Sequence, residues 1–158
     1  MSLQSTSGLP VNLVYSPPPN MPVPLSKVII LTTTTTALTL TAQDSGSIIG
    51  IPNIANAVPL TITLPNPAVA AGCFYRAILS ATQTGGQVLR LDGGAGLMQG
   101  VVAGTAAAVD LTAGAASRYV QFAATAKKGD WIEVLSDGTF WYAEGVSSLA
   151  GANGIAFA

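Results

Sequence analysis

Histidine is missing from all 158 residues, cysteine occurs once, and Asp, Glu, Lys and Arg together make up only 8% of the chain. Each shortage excludes something. Without histidine the chain lacks the commonest general base near neutral pH and the commonest metal ligand. A lone cysteine forms no intrachain disulfide and offers no zinc-ligand spacing, so neither a metal nor another cofactor is expected. Cys73 falls in the apolar run Cys73-Phe74-Tyr75, which reads as a small buried hydrophobe rather than a nucleophile. Six basic and seven acidic residues leave a net charge of -1, and no basic cluster exceeds Lys127-Lys128. A nucleic-acid surface gains its affinity from several clustered cations, so no nucleic-acid partner is expected.

Apolar residues make up 49% of the chain. Pro, Thr and Asn nevertheless interrupt every apolar run well short of the ~20 residues that a spanning helix needs, so no membrane partner is expected. The first 26 residues hold six of the ten prolines and no basic residue, which fits neither a secretory signal nor a transit peptide. A soluble, non-secreted product is the expectation. A soluble monomer ordinarily carries about 25% charged residues, and this one has too few to solvate its surface alone. The composition therefore points to a chain packed against other protein, a structural component before an enzyme.

One domain is expected, since this length buries about 70% of its unfolded surface. Residues 1–26 read as an extended arm. Pro17-Pro18-Pro19, with Pro22 and Pro24, favour polyproline II and remove backbone donors. At ~3.1 Å per residue, twenty such residues reach about 60 Å. The arm also carries Leu13, Tyr15, Met21 and further apolar side chains that water would not favour, so a contact along a neighbouring subunit is expected of it.

From Lys27 to Ala158 the hydrophobic period is two, and no window of a dozen residues forms an amphipathic helix. Leu60-Thr61-Ile62-Thr63-Leu64 alternates cleanly. Short strands are also expected at 28–31, 38–41, 47–51, 74–80, 87–92, 97–103, 107–111, 118–123, 130–135 and 139–144. Turn signals separate them, among them Asp44-Ser45-Gly46, Pro65-Asn66-Pro67, Gly93-Gly94, Ala113-Gly114 and Asp137-Gly138. Thr32 to Thr36 reads as a solvent-facing strand run. This pattern predicts an all-β chain: a single β-sandwich, jelly-roll-like, behind an extended proline-rich N-terminal arm.

The most specific local expectation is a hairpin around Asp137-Gly138, the dipeptide preferred in two-residue type I′ turns. That turn would set Leu135 against Phe140, Val134 against Trp141, Glu133 against Tyr142 and Ile132 against Ala143. One face, with Ile132, Val134, Trp141 and Ala143, belongs in a core. The other mixes Trp131, Leu135, Phe140 and Tyr142 with Glu133 and Glu144, and such a surface asks to be covered.

Catalytic readings are thin. Glu133 and Glu144 among aromatics resemble a glycosidase pair, two pair positions apart on that register, but no motif accompanies them. Gly93-Gly94-Ala95-Gly96 lacks the lysine and the strand-to-helix context of a phosphate loop. The acids are scattered singly, and no enzyme is expected. Trp131, Phe140 and Tyr142 would also suit stacking on a sugar, which leaves a receptor- or glycan-binding fibre tip as the alternative function.

Residues 129–142, Gly-Asp-Trp-Ile-Glu-Val-Leu-Ser-Asp-Gly-Thr-Phe-Trp-Tyr, resemble a segment recurrent in virion proteins of tailed phages, where it closes a small β-domain. Leu40-Thr41-Ala42-Gln43-Asp44-Ser45-Gly46 and Thr61-Ile62-Thr63-Leu64-Pro65 match in the same order, so the resemblance covers about residues 38–145. It is similar to capsid decoration (cement) proteins and to modules of tail fibres and minor capsid proteins. The resemblance implies a viral structural protein on the capsid surface, made in the host cytoplasm, bridging copies of the major capsid protein. It also implies a homotrimer. The contact residues expected on this reading are Leu13, Tyr15, Pro17, Pro18, Pro19 and Met21 in the arm, with Trp131, Leu135, Phe140 and Tyr142 in the body.

Overall fold

A computed structural model of the chain describes residues 27–54, 59–104, 109–149 and 154–158, with the backbone alone over 109–116. The arm expected over residues 1–26 lies outside the described residues. The rest forms strands β1 (Val28–Ile30), β2 (Ala37–Thr39), β3 (Ser47–Ile51), β4 (Leu60–Thr63), β5 (Phe74–Leu79) and β6 (Leu89–Asp92). These are followed by β7 (Met98–Gly104), β8 (Val109–Ser117), β9 (Tyr119–Phe122), β10 (Trp131–Ser136), β11 (Trp141–Ser147) and β12 (Ile155–Phe157). The only helical pieces among the described residues are 3-10 turns at Ala42–Asp44 and Pro67–Val69.

The all-β sandwich expected from the alternation is what forms. A seven-stranded sheet in the order β1-β3-β5-β10-β11-β7-β8 packs on a five-stranded sheet in the order β12-β9-β6-β4-β2. The winding, however, differs from the antiparallel Greek keys of a jelly roll. From β1 to β6 the chain alternates between the sheets, so β1, β3 and β5 run parallel in one while β2, β4 and β6 run parallel in the other. The first half is thus a flattened coil of three turns. Antiparallel pairs enter with β10 against β5 and β11, and with β9 against β6 and β12.

Alternation decides what fills the space between the sheets. Ile49, Ile51, Tyr75, Ala77, Leu79, Ile132, Val134 and Trp141 point inward from the larger sheet, and Leu60, Ile62, Leu89, Leu91, Val120 and Phe122 from the smaller. Each large apolar side chain so buried contributes about 1.5–3 kcal/mol. Cys73 is buried too, as expected, with its Sγ 3.8 Å from the Ala42 carbonyl oxygen. Tyr75 and Trp141 form a tilted pair with centroids 5.7 Å apart. The Tyr75 hydroxyl donates to Thr41 O at 2.7 Å and Trp141 Nε1–H to Pro65 O at 3.1 Å. The two rings therefore tie down the loops that leave β2 and β4, and burial raises the Tyr75 phenol to about 12.

Two expected elements take another form. Thr32 to Thr36 is a turn between the sheets rather than a strand, closed by Thr35 N–H on Thr32 O and by Thr32 N–H on Thr35 Oγ1. Threonine hydroxyls bond nearby backbone well enough to compete with a ladder. Ala113-Gly114, expected as a turn, lies inside β8. The strand expected at 107–111 begins at Val109, and its first two residues lie outside the described residues.

A candidate protein-contact surface

The hairpin brings the candidate residues together, on a register shifted by two residues from the expected one. Ser136 pairs with Trp141, Leu135 with Tyr142, Val134 with Ala143 and Glu133 with Glu144. The loop has four residues, not two. Asp137 Oδ1 accepts the N–H groups of Thr139 and Phe140, both at 2.7 Å, so the aspartate closes the loop with its side chain instead of serving a type I′ turn. These two N–H groups also hold the Asp137 carboxyl below the usual carboxylate range, first Phe140 and then Thr139. Each partner moves by two positions, which leaves the side chains that stay in the ladder on their expected faces. Two placements are corrected: Phe140 belongs to the loop and does not face Leu135, and the two glutamates are directly opposite each other.

Across the outer face of the seven-stranded sheet the registers align three rows. One runs Phe74–Leu135–Tyr142–Gln99, the next Val28–Ile48–Arg76–Glu133–Glu144–Val101, and the third Ile30–Gly50–Ile78–Trp131–Val146–Ala103. Val28, Ile30, Phe74, Val101, Leu135, Tyr142 and Val146 are all exposed there. The outer face of the five-stranded sheet is different: its rows run Ala37–Thr61–Arg90–Gln121–Ala156 and Thr39–Thr63–Asp92–Tyr119. Arg90 Nε–H donates to Gln121 at 3.1 Å, and the Arg118 guanidinium grips Asp92 at 2.8 Å. Burial pushes the Asp92 carboxyl up, but Arg118 and the Gly94 N–H outweigh it and hold the group below its ordinary value. One side of the sandwich is dressed for water and the other is not.

The few charges on the apolar face are organised. Arg76 lies over the Trp131 ring, 4.6 Å from its centroid, and its Nε stands 2.9 Å from Glu133 Oε2. The Nε–H is not aimed along that line, so the contact is an ion pair and not a hydrogen bond. Glu144 has no ion pair among the described residues, and with Glu133 across from it the sheet carries a like-charge pair. Between them lies a shallow depression of about 320 Å³, bounded by Gly100, Val101, Leu135 and Tyr142 along with the glutamates. The Asp137 carboxylate near the Tyr142 hydroxyl raises the pKa of that phenol.

Of the candidate residues, Trp131, Leu135 and Tyr142 share this face, while Leu13, Tyr15, Pro17, Pro18, Pro19 and Met21 lie outside the described residues. Sequence reading missed Val28, Ile30, Phe74, Val101 and Val146 as members of the face. Alternation within each strand marks them as outward, but only the cross-strand registers place them side by side. No group of three or more metal-ligating side chains occurs among the described residues. Protein-family models, curated proteins and solved structures gave no match to the chain.

Proposed function

We propose that this protein is a structural subunit of a viral particle, a capsid decoration (cement) protein that docks on the shell through the outer face of its seven-stranded sheet. The observation that carries the reading is the contrast between the two outer faces, one polar, one with seven exposed large apolar side chains drawn from five strands. Single exposed apolar residues need no account, but seven on one sheet face, around a middle row that carries Arg76, Glu133 and Glu144, favour a contact surface. The hydrogen-bonded ladder beneath it fixes the backbone in advance, so association need order only the side chains.

On this reading the major capsid protein is the partner and the capsid surface the location. The apolar sheet faces inward to the shell and the polar sheet outward to water. Many equivalent copies make modest individual contacts effective, and binding to the assembled state alone stabilises that state by mass action. A trimeric body fits the same use. The alternative, a glycan-binding fibre tip, finds less support on this face, since Arg76 already covers the Trp131 ring that a sugar would stack on.

The test is co-sedimentation with shells assembled from the major capsid protein of the same virus. Leu135→Asp should leave folding and melting unchanged and lower binding by at least about tenfold, the cost of a carboxylate in an apolar contact. Thr61→Asp, on the polar sheet, should bind as the wild type does. Undiminished binding of Leu135→Asp would overturn the proposal, and equal loss from both variants would overturn the orientation.

A further inference from the structure

The seven-stranded sheet ends at β1, and among the described residues nothing pairs with that edge. Ile48 N–H donates to Lys27 O at 2.8 Å and Leu31 N–H to Gly50 O at 3.0 Å. In a parallel ladder the alternate residues point the other way, so the N–H and C=O groups of Val28 and Ile30 are directed out from the sheet. No described residue bonds them. Natural edges are blunted by charge, proline, a bulge or a covering loop. β1 is short, at three residues, but among the described residues it carries no proline, bulge or covering loop: the run reads Val28-Ile29-Ile30-Leu31, with Val28 60% and Ile30 71% exposed. Lys27, the one neighbouring charge, is turned aside into an ion pair with Asp44.

The chain upstream supplies a match. The 26 residues before Lys27 contain no charged side chain, and one segment among them has the composition of a strand. Between Pro10 and Pro17, Val11-Asn12-Leu13-Val14-Tyr15 alternates apolar residues and keeps every backbone donor, while the prolines on both sides confine pairing to this run. We infer that residues 11–15 of a second copy add to β1 as a further strand, so that each copy gives one strand and receives another.

A second copy is favoured over self-pairing by the connection. Twelve residues, 16–27, separate Tyr15 from Val28, and five of them are proline. Such a segment favours polyproline II and spans about 37 Å, whereas folding back as a hairpin requires its ends about 5 Å apart. Giving and receiving through different surfaces is a heterologous contact, which closes into a ring when the rotation permits. The inference is independent of shell binding, because both strands belong to this chain.

Disulfide trapping in the full-length chain tests it. In a Cys73→Ala background, one tagged copy carries Ile30→Cys, and a differently tagged copy carries a single cysteine at position 11, 12, 13, 14 or 15. After co-expression and mild oxidation, at least one of the five pairs should give a mixed-tag dimer on a non-reducing gel. Adding Leu13→Pro, which removes a ladder donor, should cut that product at least about tenfold while the body stays folded by circular dichroism. Cross-linking only within one chain, when both cysteines are placed on the same copy, would overturn the exchange. Absence of a mixed-tag product at all five positions would overturn it as well.

Discussion

Asp130 is the residue whose loss should be felt most sharply for its size. It stands 3% exposed at the entry to β10, and its carboxylate gathers three donors. Oδ2 accepts Lys127 N–H and the Ser147 hydroxyl, both at 3.0 Å, and Oδ1 accepts Ser148 N–H at 2.8 Å. One side chain thereby binds the loop before β10 to the end of β11. Asp130→Ala strips all three donors of their acceptor, and each costs about 1–3 kcal/mol where water cannot replace it. Lys127 and Ser148 lie near enough to solvent to recover part of this, so the expected loss is about 3–5 kcal/mol rather than the full sum. With a urea slope of about 2 kcal/mol per molar, the unfolding midpoint should fall by roughly 1.5–2.5 M. Asp130→Asn keeps one acceptor oxygen and lets the Ser147 hydroxyl rotate, so about 1–2 kcal/mol is expected. Tryptophan fluorescence at one fixed protein concentration reads both variants, since association would otherwise shift the midpoints. A loss below about 1 kcal/mol for Asp130→Ala, or equal losses for Ala and Asn, would refute the reasoning.

Two further predictions concern other parts of the ladder. Gly100 sits in β7 at φ +145°, where an added Cβ would lie 1.8 Å from Ala143 O. Gly100→Ala must therefore push β7 off β11 and should cost at least about 3 kcal/mol in thermal or urea melts; a near-neutral result would mean the two strands do not approach this closely. Asp44 is held at about 2 by its hydrogen bond to Lys27, then by the Thr41 N–H and hydroxyl. Because the folded pKa is depressed, its contribution is present above about pH 4 and is lost as pH falls toward 2. The melting-temperature gap between wild type and Asp44→Asn should shrink through that window, and a pH-independent gap would count against the assignment.

Much of the body is legible in the sequence because a strand with one wet face writes its own alternation. Leu60-Thr61-Ile62-Thr63 announces both its period and its inward side, and the segment 131–146 does the same. Faces survived even where the register did not, because moving a partner by two positions preserves the side of the sheet. The hairpin loop was harder to read. Asp-Gly serves a type I′ turn and an aspartate-closed loop equally well, and the choice went to the form in which Ser136, buried beneath the loop, accepts Gly138 N–H while Trp141 N–H reaches Leu97 O. Strand β12, Ile155–Phe157, was not expected from the sequence.

The sequence by itself determined that this chain is all-β, which residues of most strands turn inward, and that its charged residues are few. Those properties reside in single segments and in composition, so no neighbour is needed to state them. Only the tertiary structure decided that β1 to β6 wind in parallel between two sheets, since alternation looks the same whichever way an adjacent strand runs. It likewise decided that Val28, Phe74, Val101, Leu135 and Tyr142, spread over more than a hundred positions, share one face. A contact surface on a sheet is made across strands, through hydrogen-bond registers that long-range packing sets, and a sequence records only the direction along them.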